Sequence, residues 1–329
     1  MHTFKSFEEV LSTVNETSFE DIALRLFRFQ AKHNLVYRDY LKHLKINPNS
    51  ISSLHDIPFL PISFFKTHKV ITGTWSTETI FTSSGTTGTS TSRHHVASLS
   101  FYLTHSERIF ERFFGSLDQF HILALLPSYL EREGSSLIYM VDYFIKKSQS
   151  PHSGFYLNDF DALLTKLEFI KHSDKKVLLL GVSFALLDLA EKHEVDLINC
   201  IVMETGGMKG RRKELVRQEL HEILTQRLHV PVIYSEYGMT ELMSQGYSFG
   251  NGTFRLPAGM KIYLRDVNDP FTLSKSGKTG LINVIDLANF HSCAFIETQD
   301  LGRMIEDGSF EVLGRIDNSD ARGCNLLVG

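Results

Sequence analysis

Cysteine is scarce in this chain, and so are the charge patterns that identify several common classes of protein. Only three cysteines occur among 329 residues, Cys200, Cys293 and Cys324, with no close pairing. This spacing argues against a disulfide framework and against a zinc site. The formal net charge is −4 and the sequence pI is near 6.4, so the chain has no general electrostatic footprint for nucleic acid or for an anionic membrane.

Targeting and membrane-spanning patterns are missing as well. Residues 1–6 lack the charged, apolar and small-residue sections of a secretory signal. The most apolar run, residues 177–190, is interrupted by Gly181, Ser183 and Asp188 and is shorter than the roughly 20 residues that span a bilayer. We therefore expect a cytoplasmic protein without an integral membrane segment.

The pattern of apolar runs predicts an α/β fold. Residues 18–34 carry apolar side chains at helical spacing, and the proline-rich segment 57–62 cannot continue a helix. This predicts an N-terminal helical region over residues 1–80. Later short apolar runs fit strands buried on both faces of a sheet, at residues 121–126, 176–180 and 199–203, and strands of a smaller β subdomain, at 281–287 and 310–313.

A run of small hydroxylated residues and glycines, residues 81–92, is the most informative segment of the chain. It reads Phe-Thr-Ser-Ser-Gly-Thr-Thr-Gly-Thr-Ser-Thr-Ser and follows an apolar pair, so a strand leading into a glycine turn could direct backbone N–H groups at phosphate oxygens. A solvated flexible loop is the alternative interpretation. The Gly-Lys-Ser/Thr ending of a P-loop is missing, and no Gly-x-Ser-x-Gly elbow of a serine hydrolase occurs anywhere.

Two later segments strengthen the phosphate interpretation. In residues 236–241, Glu-Tyr-Gly-Met-Thr-Glu, a ring can stack on a purine, and a hydroxyl and a carboxylate can hold Mg²⁺ against phosphate oxygens. In residues 298–303, Thr-Gln-Asp-Leu-Gly-Arg, a carboxylate could accept hydrogen bonds from both ribose hydroxyls. Taken alone, the first segment is also compatible with a turn and an exposed Glu241, and the second with an aspartate in a β-turn.

Two glycine-containing segments are more ambiguous. Residues 204–207, Glu-Thr-Gly-Gly, follow a strand-like run, so they indicate either glycines that admit a flat base or an ordinary strand-to-helix turn. Residues 314–318, Gly-Arg-Ile-Asp-Asn, indicate a hinge or an exposed loop.

Together these segments resemble the adenylate-forming superfamily, and more closely its acyl-protein synthetase branch of the LuxE type with its phenylacetate-CoA-ligase-like relatives. The similarity runs from about residue 57 to the C-terminus. The most diagnostic segments are residues 83–88, 127–137, 236–241, 299–303 and 322–324. The resemblance implies a large α/β N-terminal domain with a small β subdomain, organised as an N-terminal helical region (1–80), an adenylate-forming core (81–315) and a short tail (316–329).

The resemblance also implies a site for ATP and Mg²⁺. The ATP phosphates would be bound by Ser83, Ser84, Gly85, Thr86, Thr87 and Gly88. Gly206, Gly207 and Tyr237 would enclose adenine, with Gly238 and Arg315 also at the nucleotide and Asp300 on the ribose. Thr240 and Glu241 would serve the α-phosphate and the metal. The segment around Tyr129 and Leu130 would line the acyl pocket.

The chain departs from the family pattern in two places. The lysine that usually closes the phosphate loop is absent, which leaves Arg93 as a candidate substitute. Full-length adenylating enzymes continue into a mobile domain of about a hundred residues, and we expect that domain to be essentially absent here.

Cys324 is then the predicted acyl carrier, because a near-terminal cysteine carries the acyl group as a thioester in the LuxE type. Cys200 and Cys293 lie in strand-like context and are predicted core residues. The expected activity is ATP-dependent activation of a carboxylic acid, with a fatty acid favoured, and delivery to a partner acyl reductase or acyltransferase. The alternatives are release to CoA, a carrier protein or an amine, and a catalytically inactive nucleotide-binding scaffold.

Overall fold

Most of the chain is described by the computed structural model, namely residues 4–83, 91–126, 134–206, 215–267, 269, 272–274 and 278–316. The helices in these ranges are α1 (Phe4–Leu11), α2 (Glu16–His33), α3 (Leu35–His43), α4 (Phe64–Thr67), α5 (Leu99–Phe114), α6 (Ser136–Lys147), α7 (Phe160–Ile170), α8 (Ser183–Lys192) and α9 (Arg217–Leu228). The first strands are β1 (Leu60–Pro61), β2 (Thr79–Thr82), β3 (Arg93–Val96), β4 (Phe120–Leu125), β5 (Gly154–Phe155), β6 (Lys176–Val182) and β7 (Cys200–Thr205). The remaining strands are β8 (Tyr234–Tyr237), β9 (Gly246–Ser248), β10 (Thr253–Arg255), β11 (Met260–Arg265), β12 (Thr279–Asp286), β13 (Phe295–Met304) and β14 (Phe310–Arg315).

One large sheet organises the described residues. Its strands follow the order β11-β12-β13-β14-β10-β9-β8-β7-β6-β4-β5, and β1 pairs with β13. The run β5-β4-β6-β7-β8 is parallel, whereas pairing from β8 onward along this order is antiparallel. The predicted α/β class is confirmed, and the strands expected at 281–287 and 310–313 lie in the same sheet as the parallel strands.

The parallel strands were predictable because they are buried on both faces. All six residues of β4 are buried, and so are six of the seven residues of β6. A strand covered by helices on both sides needs a continuous apolar run rather than an alternating one. The run 177–190 divides into β6 and α8. Among the described residues, no helix is long and apolar enough to cross a membrane.

Helix α2 contains most of the segment whose apolar residues have helical spacing, residues 18–34, and is joined to the sheet by polar contacts. It begins after Asn15, whose side chain accepts hydrogen bonds from two backbone N–H groups of the first turn. Further along, the side chain of the fully buried Gln30 donates to the carbonyl oxygens of Asn289 and Ser292, at 3.0 and 3.2 Å, and accepts from Ala294 N at 2.9 Å. These bonds hold the loop that connects β12 to β13.

The domain boundaries at residues 80 and 315 stay predictions. Near residue 315, however, the secondary structure differs from the prediction. Residues Gly314 and Arg315, predicted to begin a hinge or loop, continue β14, and Asp300, compatible with a turn from the sequence alone, lies within β13. Pairing decides both cases, because Asp300 stands opposite Arg315 in the antiparallel ladder.

Replacement of Gln30 by leucine tests the joint between α2 and the β12–β13 loop. Gln30→Leu keeps the size of the side chain but removes its hydrogen bonds to residues 289–294, among them the acceptor of the Ala294 N–H. A buried donor left unsatisfied costs about 1–3 kcal/mol. We expect urea unfolding to show a loss of at least about 2 kcal/mol of stability. The matched change Gln226→Leu, on the exposed face of α9, should leave the midpoint nearly unchanged, and an equal effect of both changes would contradict this account.

Candidate active site

The carboxyl ends of the parallel strands lie along one edge of the sheet. Strands β4, β6, β7 and β8 end there at Leu125, Val182, Thr205 and Tyr237. Two of the predicted site segments, residues 204–207 and 236–241, therefore leave the sheet at the same edge. Ligands of open parallel sheets bind in the crevice outside these carboxyl ends, so the topology places both segments where a nucleotide site is expected.

The Ser/Thr/Gly segment extends from the hairpin formed by β2 and β3. Thr82 pairs with Arg93, Ser83 N donates to Ser92 O at 3.2 Å, and Ser92 N donates to Ser83 Oγ at 2.9 Å. Ser83 thus closes the base of the loop, and the exposed Arg93 lies on its other arm. Ser84, Gly85, Thr86, Thr87 and Gly88 lie outside the described residues.

This hairpin contacts the turn that contains Thr240 and Glu241. His94 Nδ1 lies 2.8 Å from the carbonyl oxygen of Thr240, and because a carbonyl only accepts, this nitrogen carries the proton. His94 is buried, and burial lowers its pKa to about 4, so the imidazole is neutral. The base of the predicted phosphate loop and the predicted metal-binding turn are therefore adjacent in space.

Glu241 is buried rather than exposed. Its side chain retains 5% of its accessible surface, and burial raises the pKa of its carboxyl while a hydrogen bond with Ser92 acts in the opposite direction. A carboxylate at the base of a phosphate-binding loop is an oxygen ligand of the kind that Mg²⁺ prefers, since this ion commonly binds one or two carboxylates together with substrate phosphates. No group of three or more His, Cys, Asp or Glu side chains that could hold a metal occurs in the described ranges.

Two buried side chains, one at the end of β12 and one in the loop that follows it, hold the Thr240–Glu241 turn and the residues directly after it. Asn289 Nδ2 donates to Glu241 O at 2.7 Å. Asp286 accepts from Met243 N at 2.8 Å and from both the backbone and the hydroxyl of Ser244, at 3.0 and 2.7 Å. Sequence reasoning missed both residues, because the groups they bind in residues 241–244 lie 42 to 48 positions away in the sequence.

Tyr237, Asp300 and Arg315 form a second cluster at this edge. The Tyr237 hydroxyl donates to Asp300 Oδ2 at 3.0 Å, and Arg315 Nε lies 3.8 Å from Asp300 Oδ1. Burial raises the pKa of Asp300, and the charge of Arg315 opposes this rise. The Tyr237 ring packs against Phe254 and Phe310. The structure thus brings together three residues that the sequence assigned to the nucleotide, and their roles stay predictions.

The end of β7 is fixed by a buried carboxylate. Glu204 is 1% exposed; Ser183 Oγ donates to its Oε2 at 2.9 Å, and Arg217 Nε donates to its Oε1 at 3.2 Å. The same Ser183 hydroxyl contacts the carbonyl oxygen of Gly206 at 2.9 Å. Burial by itself raises the pKa of Glu204, but Arg217 and His221 more than offset it, so the net shift is downward. Gly206 therefore has a fixed position, whereas Gly207 lies outside the described residues.

Gly134 is the first described residue of the segment that was predicted to line the acyl pocket. Thr82 N donates to Gly134 O at 2.8 Å, which places this glycine against β2. Its φ is +84°, and a Cβ there would lie 2.6 Å from Ile80 O, so only glycine fits. Tyr129, Leu130 and Cys324 lie outside the described residues. Gly134, which follows Tyr129 and Leu130 in the same segment, contacts the phosphate-loop hairpin.

Removal of the Arg217 charge tests the electrostatic balance at β7. Arg217→Met retains the aliphatic stem but leaves Glu204 buried without its main cation, which typically costs about 3–5 kcal/mol. Because the folded-state pKa of Glu204 is depressed, its stabilising contribution is present above its unfolded pKa and is lost as the pH falls through the folded value. Chemical denaturation at pH 7 should show the loss, whereas Arg227→Met, on the exposed side of the same helix, should not.

Comparison with known proteins agrees with this geometry. The structure is similar to that of 2-hydroxyisobutyryl-CoA ligase in an open conformation with 2-HIB-AMP and CoA (TM-score 0.67, 12% identity, 91% of this chain and 74% of that chain). It is also similar to ATP-bound MatB from Rhodopseudomonas palustris (TM-score 0.53, 17% identity, 72% of this chain), of which the match covers 47%, about half. These structural similarities show the adenylate-forming fold. A search of curated protein sequences found no match. The family model described as "Acyl-protein synthetase, LuxE" matches residues 11–329, so the chain belongs to the LuxE acyl-protein synthetase family, a membership that supports the activity of an adenylate-forming ligase.

Proposed function

We propose that this protein uses ATP to activate a carboxylic acid, with a fatty acid favoured, and transfers the acyl group to the thiol of Cys324. The observation that carries the proposal is the juxtaposition at the sheet edge. The base of the Ser/Thr/Gly loop contacts the Thr240–Glu241 turn through His94 and Ser92. Tyr237, the last residue of the strand that leads into this turn, donates a hydrogen bond to Asp300 of β13.

In the first half-reaction the substrate carboxylate attacks the α-phosphorus of ATP. A new oxygen–phosphorus bond forms, the bond to the bridging oxygen breaks, and pyrophosphate leaves, which gives acyl-AMP. The chain binds and orients the nucleotide: Ser83 and its loop at the phosphates, Asp300 at the ribose, and Thr240 at the α-phosphate. Mg²⁺ held by Glu241 would neutralise charge on the phosphate oxygens, and hydrogen-bond donors of the loop would stabilise the charge that develops there.

In the second half-reaction a thiol takes the acyl group. The sulfur attacks the acyl carbon, the bond to AMP breaks, and the thiol proton passes to solvent. Burial raises the pKa of Cys200 to about 11 and that of Cys293 to about 12, so both are poor nucleophiles at neutral pH because the thiolate is the reactive form. Of the three cysteines in the sequence, this leaves Cys324 as the acceptor. A partner acyl reductase or acyltransferase would then collect the thioester, in a cytoplasmic setting.

Labelled acids distinguish this proposal from its alternatives. We expect wild type, Cys200→Ser and Cys293→Ser to acquire a hydroxylamine-labile label when incubated with MgATP and a labelled fatty acid, and Cys324→Ser to remain unlabelled while it still releases pyrophosphate. Denaturing gels and a pyrophosphate assay provide the readouts. Label on Cys324→Ser would contradict the assignment of the thiol. No label on any protein, with pyrophosphate released, would favour a diffusible acceptor such as the CoA bound to 2-hydroxyisobutyryl-CoA ligase. ATP binding without pyrophosphate release would indicate an inactive scaffold.

Arg93 is the candidate for the missing loop lysine. It pairs with Thr82 at the base of the loop and is exposed, so a guanidinium there can form charge-assisted hydrogen bonds with phosphate oxygens. We expect Arg93→Ala to raise the KM for ATP by roughly ten- to 150-fold, the equivalent of one such bond at roughly 1.5–3 kcal/mol, in a pyrophosphate-exchange assay. Arg112→Ala, on an exposed position of α5, is the control, and an unchanged KM in Arg93→Ala would exclude the arginine from the phosphate site.

A further inference from the structure

Glu236 is a buried carboxylate that the proposed reaction does not use. It precedes Tyr237 in β8, and strand alternation directs its side chain to the opposite face of the sheet from that of Tyr237. It is 7% exposed, and its Oε2 accepts a hydrogen bond from Thr205 Oγ1, at the end of the neighbouring strand β7. This bond links the two strands directly before the glycines of both site segments.

The carboxylate also lies against the backbone of Gly238. A Cβ at this glycine would lie 2.3 Å from Glu236 Oε1, so any larger residue would require the carboxylate to shift. Gly238 is itself exposed at the sheet edge. One side chain thus contacts both turns that the proposed function places around the nucleotide: the turn after Thr205, which contains Gly206, and the turn after Tyr237.

Burial of this group is costly for the fold. The ionisable groups that face it are Glu204 on β7, Tyr102 on α5 and Tyr247 on β9, and none of them is a cation. Among the described residues no salt bridge to Glu236 is formed, and the hydroxyl of Tyr247, directly across the ladder, has no hydrogen-bond partner. Burial raises the pKa of Glu236 to about 7. An apolar residue at this position would give a more stable fold, since buried carboxylates without a cation destabilise a fold.

We propose that Glu236 is a positioning residue for the nucleotide: through Thr205 and Gly238 it holds the two glycine turns at the separation that adenosine requires. This inference rests on the proposed nucleotide site. A carboxylate accepts a stronger hydrogen bond than a neutral acid or amide does, so the charged form holds the turns more firmly. The fold then loses stability at this residue in exchange for a preorganised site, which is a known trade-off at functional positions.

Stability and ATP affinity should therefore move in opposite directions in Glu236→Gln. The sign follows from linkage: the folded state keeps the Glu236 proton up to a higher pH than the unfolded chain, so its destabilising effect appears as the pH rises from about 4.5 to about 7. At pH 8 we expect Glu236→Gln to unfold at a higher temperature than wild type, and the difference should shrink at pH 5. Calorimetry with MgATP should show binding five- to tenfold weaker at pH 8. At pH 6 the affinity of wild type for MgATP should approach that of the variant, because most of its Glu236 is then protonated. Any titration of the ATP phosphates affects both proteins equally.

A double-mutant cycle with Thr205→Val isolates the hydrogen bond between the two strands. Each single change should weaken MgATP binding, and the double variant should bind no more weakly than either single one. Glu219→Gln, on the exposed surface of α9, should match wild type in both readouts. Wild-type affinity in Glu236→Gln, or a parallel loss of stability and affinity, would overturn the positioning role. Absence of MgATP binding by the wild-type protein would instead overturn the proposed function, and this inference with it.

Discussion

The buried hydrogen bonds of residues 286–294 are the constraint on which the candidate site depends. This loop between β12 and β13 is held on one side by Gln30 of α2 and on the other side holds the Thr240–Glu241 turn through Asp286 and Asn289. Each of these bonds joins segments far apart in sequence, so the turn is fixed only when the N-terminal helices and the late strands are both in place. A buried polar group without its partner is costly, and the network therefore makes the geometry of the turn a property of the whole fold.

The sheet provides the other half of the arrangement. Parallel strands β4, β6, β7 and β8 direct their carboxyl ends to one edge, and antiparallel strands β13 and β14 bring Asp300 and Arg315 to Tyr237 at that edge. A small number of long-range contacts thus makes neighbours of motifs that lie 63 to 146 positions apart in the sequence. The Ser/Thr/Gly hairpin is attached to this edge through His94 and through Gly134.

The predictions from sequence succeeded where local pattern determines structure. Runs such as 121–126 and 176–180 are strands because burial on both faces requires continuous apolar residues. Gly314 and Arg315 resembled a turn because glycine and charge punctuate many loops, yet pairing with β13 keeps them in a strand. Asp286, Asn289 and Glu236 escaped prediction for a related reason. Their roles depend on partners that only the fold places beside them, between 31 and 48 positions away in the sequence, and no local pattern reports such a distance.

The neutral state of His94 gives the molecule an internal spectroscopic reporter. Burial lowers its pKa to about 4, so the ring does not titrate between pH 6 and 8, and its single N–H proton points at the carbonyl oxygen of Thr240. The chemical shift of that proton responds to the length of this hydrogen bond and to the neighbouring rings of Phe65 and Phe81. Nuclear magnetic resonance of a single imidazole can therefore follow movements of the turn during binding and turnover, without a label attached to the chain and without any change in its sequence.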